Sequence, residues 1–403
     1  MYLLILLVIP LAASLLLAVI GDRKYAPEVN IVCSAIACGA SVVLGLRVYE
    51  QGPFLAWDNF FFVDAFSIYL SVLTTFVSMT TAIFSRRYMR LERAHGTIGH
   101  RRMRFYHAMY QLFIFAMLLC LLTNNVGILW IAMELATLST VLLVSLYRTP
   151  TSIEAAWKYF ILCGVGISLA LFGTVLLYFA AEKVLGPGGA ALHWTNLAKV
   201  SNQLEPTILS LAFVFLVVGY GTKVGLVPLH NWLPDAHSEG PTPISAVLSG
   251  LLLNIALYAL VRCKVLVDGS TGTHHSGNIM MGFGILSIMV ASFSILRQKD
   301  IKRMFAYSSI EHMGIATFAF GLGGPMATFG ALMHMLMHSL TKSAIFFTVG
   351  HASQMHRTQD MDKIKGLIRG NPLVGWGLAL GVMAIVGMPP FGVFASEFLI
   401  LTA

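Results

Sequence analysis

Charged side chains are scarce in this sequence. Asp, Glu, Lys and Arg make up 11% of 403 residues, apolar residues make up 57%, and the mean hydropathy is +0.79. Soluble domains carry roughly a quarter of their residues charged, so this balance excludes a soluble fold and implies a polytopic membrane protein. Cysteine is equally sparse. Cys33, Cys38, Cys120, Cys163 and Cys263 lie in or at the ends of apolar stretches, without a CxxC pair or a Cys/His ligand spacing. Such thiols are expected to pack as small hydrophobes, which argues against a metal site and assigns any redox chemistry to a partner chain. The glycines at Gly321, Gly323 and Gly324 follow no strand and read as helix packing or a tight turn, so neither a nucleotide site nor another cofactor is expected. No nucleophile with an adjacent base is visible, and no catalytic residue is expected in this chain.

What remains is a series of apolar runs. With about 20 residues needed per span, roughly twelve helices are predicted near 2–20, 29–48, 64–84, 105–122, 125–147, 155–180, 207–225, 241–262, 278–296, 303–321, 325–350 and 372–401. The first run is followed, not preceded, by Arg23 and Lys24, so it reads as a retained span and not as a cleaved signal peptide. Alternating loops place eighteen of the 26 lysines and arginines on one side, against Arg47, Lys183, Lys199, Arg262 and Lys264 on the other. The positive-inside rule then puts the N-terminus outside. The net charge of +8 therefore reports orientation. Arg86, Arg87, Arg90, Arg93, Arg101, Arg102 and Arg104 sit between two spans, where anionic lipid headgroups account for them and nucleic acid does not.

Ionisable groups inside spans cost at least about 2.5–3.5 kcal/mol each, so each one is a functional candidate. Glu134 lies too deep to reach the headgroups; the alternative to a transport role is a protonated acid bonding a neighbouring helix. Lys223 is near a helix end and could snorkel. The segment after it, with Pro228 and Pro234, is too apolar for a solvated loop and favours a broken helix lining a cavity. A second broken helix is predicted where Gly387, Met388, Pro389 and Pro390 precede Glu397. A desolvated amine beside an acid can exchange protons, which links Lys223 to Glu134.

His334, His338 and Lys342 recur at i, i+4 and i+8 and form one polar stripe on a helix face. Imidazole can take a proton on one ring nitrogen and release it from the other, so the stripe suits a relay; the alternative is two histidines bonding backbone carbonyls between helices. Glu311 and His312 are adjacent and point to different sides of their helix, so one of them is expected on the path. Lys158, near the start of its span, reads as interfacial. Glu134 to Lys223 spans 89 residues and His312 to Glu397 spans 85, each from a mid-helix ionisable group to a charge at a broken helix. The spacings suggest an inverted duplication of the kind common in transporters. The predicted fold class is all-α: a polytopic membrane protein of about twelve helices with two inverted repeats and two discontinuous helices.

Four runs carry a family resemblance: KVGLVPLHNWLPDAHSEGPTPISAVL at 223–248, QKDIKRMFAYSSIEHMG at 298–314, HMLMHSLTKSAIFFTVG at 334–350 and GMPPFGVFASEFLIL at 387–401. They resemble the antiporter-like subunits of respiratory complex I, Mrp-type Na+/H+ antiporters and membrane-bound hydrogenases, over nearly the whole chain. The resemblance implies that Glu134 and Lys223 are the acid–lysine pair of a first half-channel, that His312 and His338 form the central relay, and that Glu397 is the terminal charge of a second. One position departs: Asn254 stands where the related complex I subunit has a bridging lysine, so water or Lys342 would have to join the halves. Asn254 and GMPPFGVFASEF look more like the F-type membrane subunit of formate hydrogenlyase-like, group 4 NiFe hydrogenases.

By the same resemblance, residues 1–104 hold helices 1–3, 105–262 a first antiporter-like repeat and 278–403 a second. The family usually continues for two further helices, so truncation after Ala403 is expected. Other membrane subunits and a peripheral redox arm are the implied partners, in the cell membrane of a bacterium or archaeon. Three functions follow: a proton-translocating subunit of a hydrogenase or NADH:quinone oxidoreductase, a cation/H+ antiporter subunit, and a membrane anchor that has lost transport.

Overall fold

The computed structural model describes residues 1–403. In chain order the helices are α1 (Tyr2–Ile20), α2 (Ala26–Gln51), α3 (Ala65–Ala94), α4 (His100–Leu122), α5 (Val126–Val144), α6 (Pro150–Leu185), α7 (Trp194–Val200), α8 (Pro206–Val224), α9 (Trp232–Glu239), α10 (Thr242–Val247), α11 (Leu253–Thr271), α12 (Thr273–Ile295), α13 (Ile301–Leu322), α14 (Gly324–His356), α15 (Leu367–Gly370), α16 (Pro372–Ile385) and α17 (Gly392–Leu401). One hairpin, β1 (Phe54–Ala56) with β2 (Phe61–Val63), interrupts them. Nine helical units are long and apolar enough to cross a membrane: α1 to α6, α8, the α10–α11 unit and α12. With α13, α14 and the α16–α17 pair these correspond to the twelve predicted spans, and the fold is the expected all-α membrane architecture.

Helix starts follow capping chemistry. Asn125 accepts from the amides of Gly127 and Ile128 at 2.9 and 3.1 Å, and Asp300 accepts from those of Lys302 and Arg303 at 2.8 and 2.9 Å. Thr149 caps α6 with Pro150 in its first turn, where a missing N–H costs nothing. Both predicted breaks are present. Helix α8 ends at Gly225, whose φ of +83° is left-handed, and the chain resumes helically only at Trp232. Helix α16 ends before Gly387, and α17 begins beyond Pro389 and Pro390. A third irregularity was not legible in the sequence: a π turn over Leu248–Leu252 joins α10 to α11.

The α10–α11 unit is the axis of the molecule, buried throughout its apolar window, whereas α1 and α2 turn most of their apolar surface outward, as lipid-facing helices must. Helices α12 and α13 touch backbone to backbone: a methyl on Gly284 would stand 2.8 Å from the Gly314 carbonyl oxygen, and one on Gly321 2.8 Å from that of Gly277. Small residues at such crossings let membrane helices gain van der Waals contact. Arg262 and Lys264, read from the sequence as loop residues, are instead buried in α11. Arg262 pairs with Asp64 at 2.6 Å and Lys264 with Asp268 at 2.5 Å.

Candidate functional site

Two clusters of buried ionisable groups lie on either side of the central unit. In the first, Lys223 occupies the last turn of α8, directly before the left-handed Gly225, and is 0% exposed. Its amine donates to Glu134 Oε2 on α5 at 3.3 Å and to Thr137 Oγ1. Thr140, one turn further along α5, shares a hydrogen bond of 2.7 Å with the Tyr159 hydroxyl. Tyr159 stacks on Trp232 at 4.4 Å between centroids, and the Trp232 indole donates to the Thr222 carbonyl at 2.8 Å. The broken helix thus packs its first turn back against the end of α8, and Lys223, wholly buried, does not snorkel. Lys158 is half exposed and bridges Glu154 at 2.7 Å and Asp235 at 3.2 Å, in line with an interfacial reading.

The second cluster joins α13, α14 and α17. His334, His338 and Lys342 are all fully buried on one face of α14, as the stripe predicted. His312 from α13 stands between the two histidines: its Nδ1 lies 3.0 Å from His334 Nε2, and its ring centroid lies 5.5 Å from that of His338. Glu397 Oε1 is 4.0 Å from the same His312 Nδ1. Glu311 accepts from Ser292 at 2.9 Å, and of the adjacent pair it is His312 that enters the cluster. The Ser396 hydroxyl lies 2.7 Å from the Val393 carbonyl and 2.9 Å from His334 Nδ1, so it holds the far side of the ring whichever nitrogen carries the proton. His312 is the hub of the cluster: it meets His334 and Glu397, and its ring lies beside that of His338, one turn from Lys342 on α14.

Between the clusters lies the π turn. Its geometry frees the Gly250 carbonyl, which accepts from Ser339 at 2.5 Å and from Asn254 at 3.2 Å. Ser249 and Ser309 share a bond of 2.7 Å, Ser309 donates to the Phe305 carbonyl at 3.0 Å, and Lys342 donates to that same oxygen at 2.9 Å. Asn254 is held by Ser339 at 2.6 Å, so the position that lacks a lysine is spanned by serines reaching toward Lys342.

Two buried groups escaped the sequence reading. Lys302, counted there among loop cations, is buried and donates to the Gly240 carbonyl at 2.7 Å. It forms the floor of a polar cavity of about 730 Å³ lined by Tyr88, Glu92, Tyr147 and Gln354. His237 is fully buried and stacks on Phe346 at 5.1 Å. Lys302 sits in the first turn of α13 and His237 on short α9, where hydropathy alone does not separate a buried cation from a loop one.

A helical membrane bundle with two broken helices, one presenting the buried Lys223 and the other the partly exposed Glu397, defines an antiporter-like subunit. The chain belongs to the family described as NADH:quinone oxidoreductase/Mrp antiporter, transmembrane, whose family model matches residues 123–403. It is 50% identical over 394 residues to the hydrogenase-4 component F homolog of Methylacidiphilum infernorum, covering 98% of this chain and 82% of that protein. It is 28% identical over 358 residues to hydrogenase-4 component B of Escherichia coli, covering 86% of this chain but only 51% of that longer relative. A chain of the archaeal membrane-bound sulfane sulfur reductase superposes with a TM-score of 0.90 at 25% identity, over 99% of this chain and 81% of its own.

Proposed function

We propose that the chain carries protons across a bacterial or archaeal cell membrane as a subunit of a group 4 hydrogenase-type complex, driven by a peripheral redox arm. The observation that carries this reading is the approach of His312 to both His334 and Glu397, at 3.0 and 4.0 Å, in a polar cluster whose histidines are buried. Imidazoles in hydrogen-bond contact can pass a proton without moving the backbone. Residues 105–262 and 278–403 act as two half-channels. The pairs 89 and 85 residues apart, Lys223 with Glu134 and His312 with Glu397, each close across helices, which supports a duplicated design. A change of charge at the redox arm alters the pairing of Glu134 with Lys223, and the altered hold of Lys223 on its proton biases transfer through Lys342, His338 and His312 to Glu397. The cavity above Lys302 serves as the cytoplasmic inlet, a reading that the excess of lysine and arginine on that side supports, with the N-terminus outside.

The test is the set of proteins that copurifies with the tagged chain in mild detergent. A NiFe large subunit with iron–sulfur proteins is the expected result. NADH-oxidising subunits would move the chain to a complex I, and small Mrp-type membrane partners without redox proteins would make it a cation/H+ antiporter subunit.

A further inference from the structure

We propose that His312 Nδ1, His334 Nε2 and a Glu397 carboxylate oxygen form a binding site for a divalent transition metal of zinc's class. The three ligand atoms lie within 4.8 Å of one another. A tetrahedral ion with bonds of about 2.0–2.1 Å sets its ligand atoms about 3.3–3.4 Å apart. The observed separations of 3.0 Å between the nitrogens and 4.0 Å from His312 to the carboxylate bracket that edge, so small side-chain shifts suffice. Two imidazoles and one carboxylate suit zinc, cobalt and nickel and do not suit magnesium or calcium, which take oxygen ligands.

The surroundings are those of a built site. His334 Nδ1 lies 2.9 Å from the Ser396 hydroxyl, a partner able to accept its N–H and so leave Nε2 free for an ion, the arrangement in which an outer hydrogen bond orients a ligating histidine. Both histidines are buried, whereas the Glu397 side chain is 26% exposed and forms the open side through which an ion arrives and where a water can complete its coordination. One proton lies between His312 Nδ1 and His334 Nε2 when no ion is bound. On binding, it passes to the outer nitrogen of the ring that carries it, so both nitrogens facing the ion offer lone pairs and no net proton is lost. An ion held there occupies the junction between His338 and Glu397. On the reading of the preceding subsection, it arrests proton transfer.

Cobalt(II) is the probe, titrated into the purified full chain in detergent after chelator treatment. One ion per chain with the intense visible absorption of tetrahedral cobalt, displaced by zinc, is expected in the native protein, and its loss is expected in His334→Gln. Should His334→Gln fail to fold, Ser396→Ala is the second variant, with affinity lower by about 10- to 100-fold. Equal cobalt uptake and equal spectra in native and variant chains, or no tetrahedral band in the native chain, overturn the site. In vesicles, zinc at saturating occupancy is expected to stop proton movement. Binding with undiminished flux would leave the metal site standing and remove the relay role of His312.

Discussion

Lys223 and Glu134, 89 residues apart in the sequence, meet at 3.3 Å where the last turn of α8 crosses α5. The lysine is wholly buried, whereas the carboxylate side chain is 22% exposed at the surface of the chain. A charge so placed is costly to keep and is retained in membrane helices chiefly for function. Lys223→Ala is expected to reduce proton movement in reconstituted vesicles to the leak of empty ones, while the redox centres of the partner proteins keep their spectra and turnover. Glu134, left without its lysine, can take up a proton and stay neutral, so the bundle should still fold. Native pumping by the variant would remove Lys223 from the path.

Lys342 permits a separation of stability from transport. Its amine donates only to the Phe305 carbonyl, which Ser309 also satisfies, and it lies 5.3 Å over the Phe305 ring. Replacing a buried charge by an apolar group of similar length is often neutral or stabilising by about 1–4 kcal/mol. Lys342→Met is therefore expected to unfold at the same or a higher temperature than the native chain and yet to lose proton flux. A variant that is both stable and fully active would show that the charge has no transport role.

The sequence made the spans legible because apolar length alone defines them, and it made both broken helices legible because glycine and proline sit inside apolar runs. The alignment of His334, His338 and Lys342 followed from helical periodicity. What stayed hidden depends on helices meeting in space. His312 enters between His334 and His338 from a different helix, Ser396 reaches His334 from a third, and the π turn beside the Gly250 carbonyl has no breaker residue to announce it. Arg262 and Lys264 were misplaced for a related reason: a cation at the end of an apolar run looks the same whether the helix stops there or, as here, continues to Thr271.

Arg262 is a structural charge, and its removal should be felt in stability. The guanidinium pairs with Asp64 at 2.6 Å and lies 4.5 Å from the Trp194 ring and 4.9 Å from that of Tyr258. Asp64 is itself the N-cap of α3 and accepts from the Ser67 amide at 2.9 Å, so one residue ties α11 to the start of α3. Removing one partner of a buried pair costs about 3–5 kcal/mol, and the 18% exposure of Asp64 pulls the expectation to the lower end. Arg262→Ala should lower the unfolding temperature in detergent clearly, and Arg262→Lys should recover part of the loss, since the ammonium keeps the charge but not the flat stacking surface. Proton flux per folded molecule should be unchanged in both.

Gly387 holds the terminal carboxylate in place by having no side chain. Its φ is +73°, and a methyl on its Cα would overlap Glu397 Oε2. Gly387→Ala therefore acts twice. A left-handed alanine costs roughly 1–2 kcal/mol, and the new methyl drives the carboxylate away from the backbone and changes its 4.0 Å approach to His312. The expected result is a modest loss of thermal stability with a disproportionate loss of proton flux. Ala379→Gly, in the interior of α16, is the control: glycine in a helix interior costs about 0.5–1 kcal/mol without placing any atom near Glu397. If both variants lose flux in proportion to stability, the position of the Glu397 carboxylate does not matter to transport. If only Gly387→Ala loses flux beyond its loss of stability, the break between α16 and α17 exists to place that one oxygen beside His312.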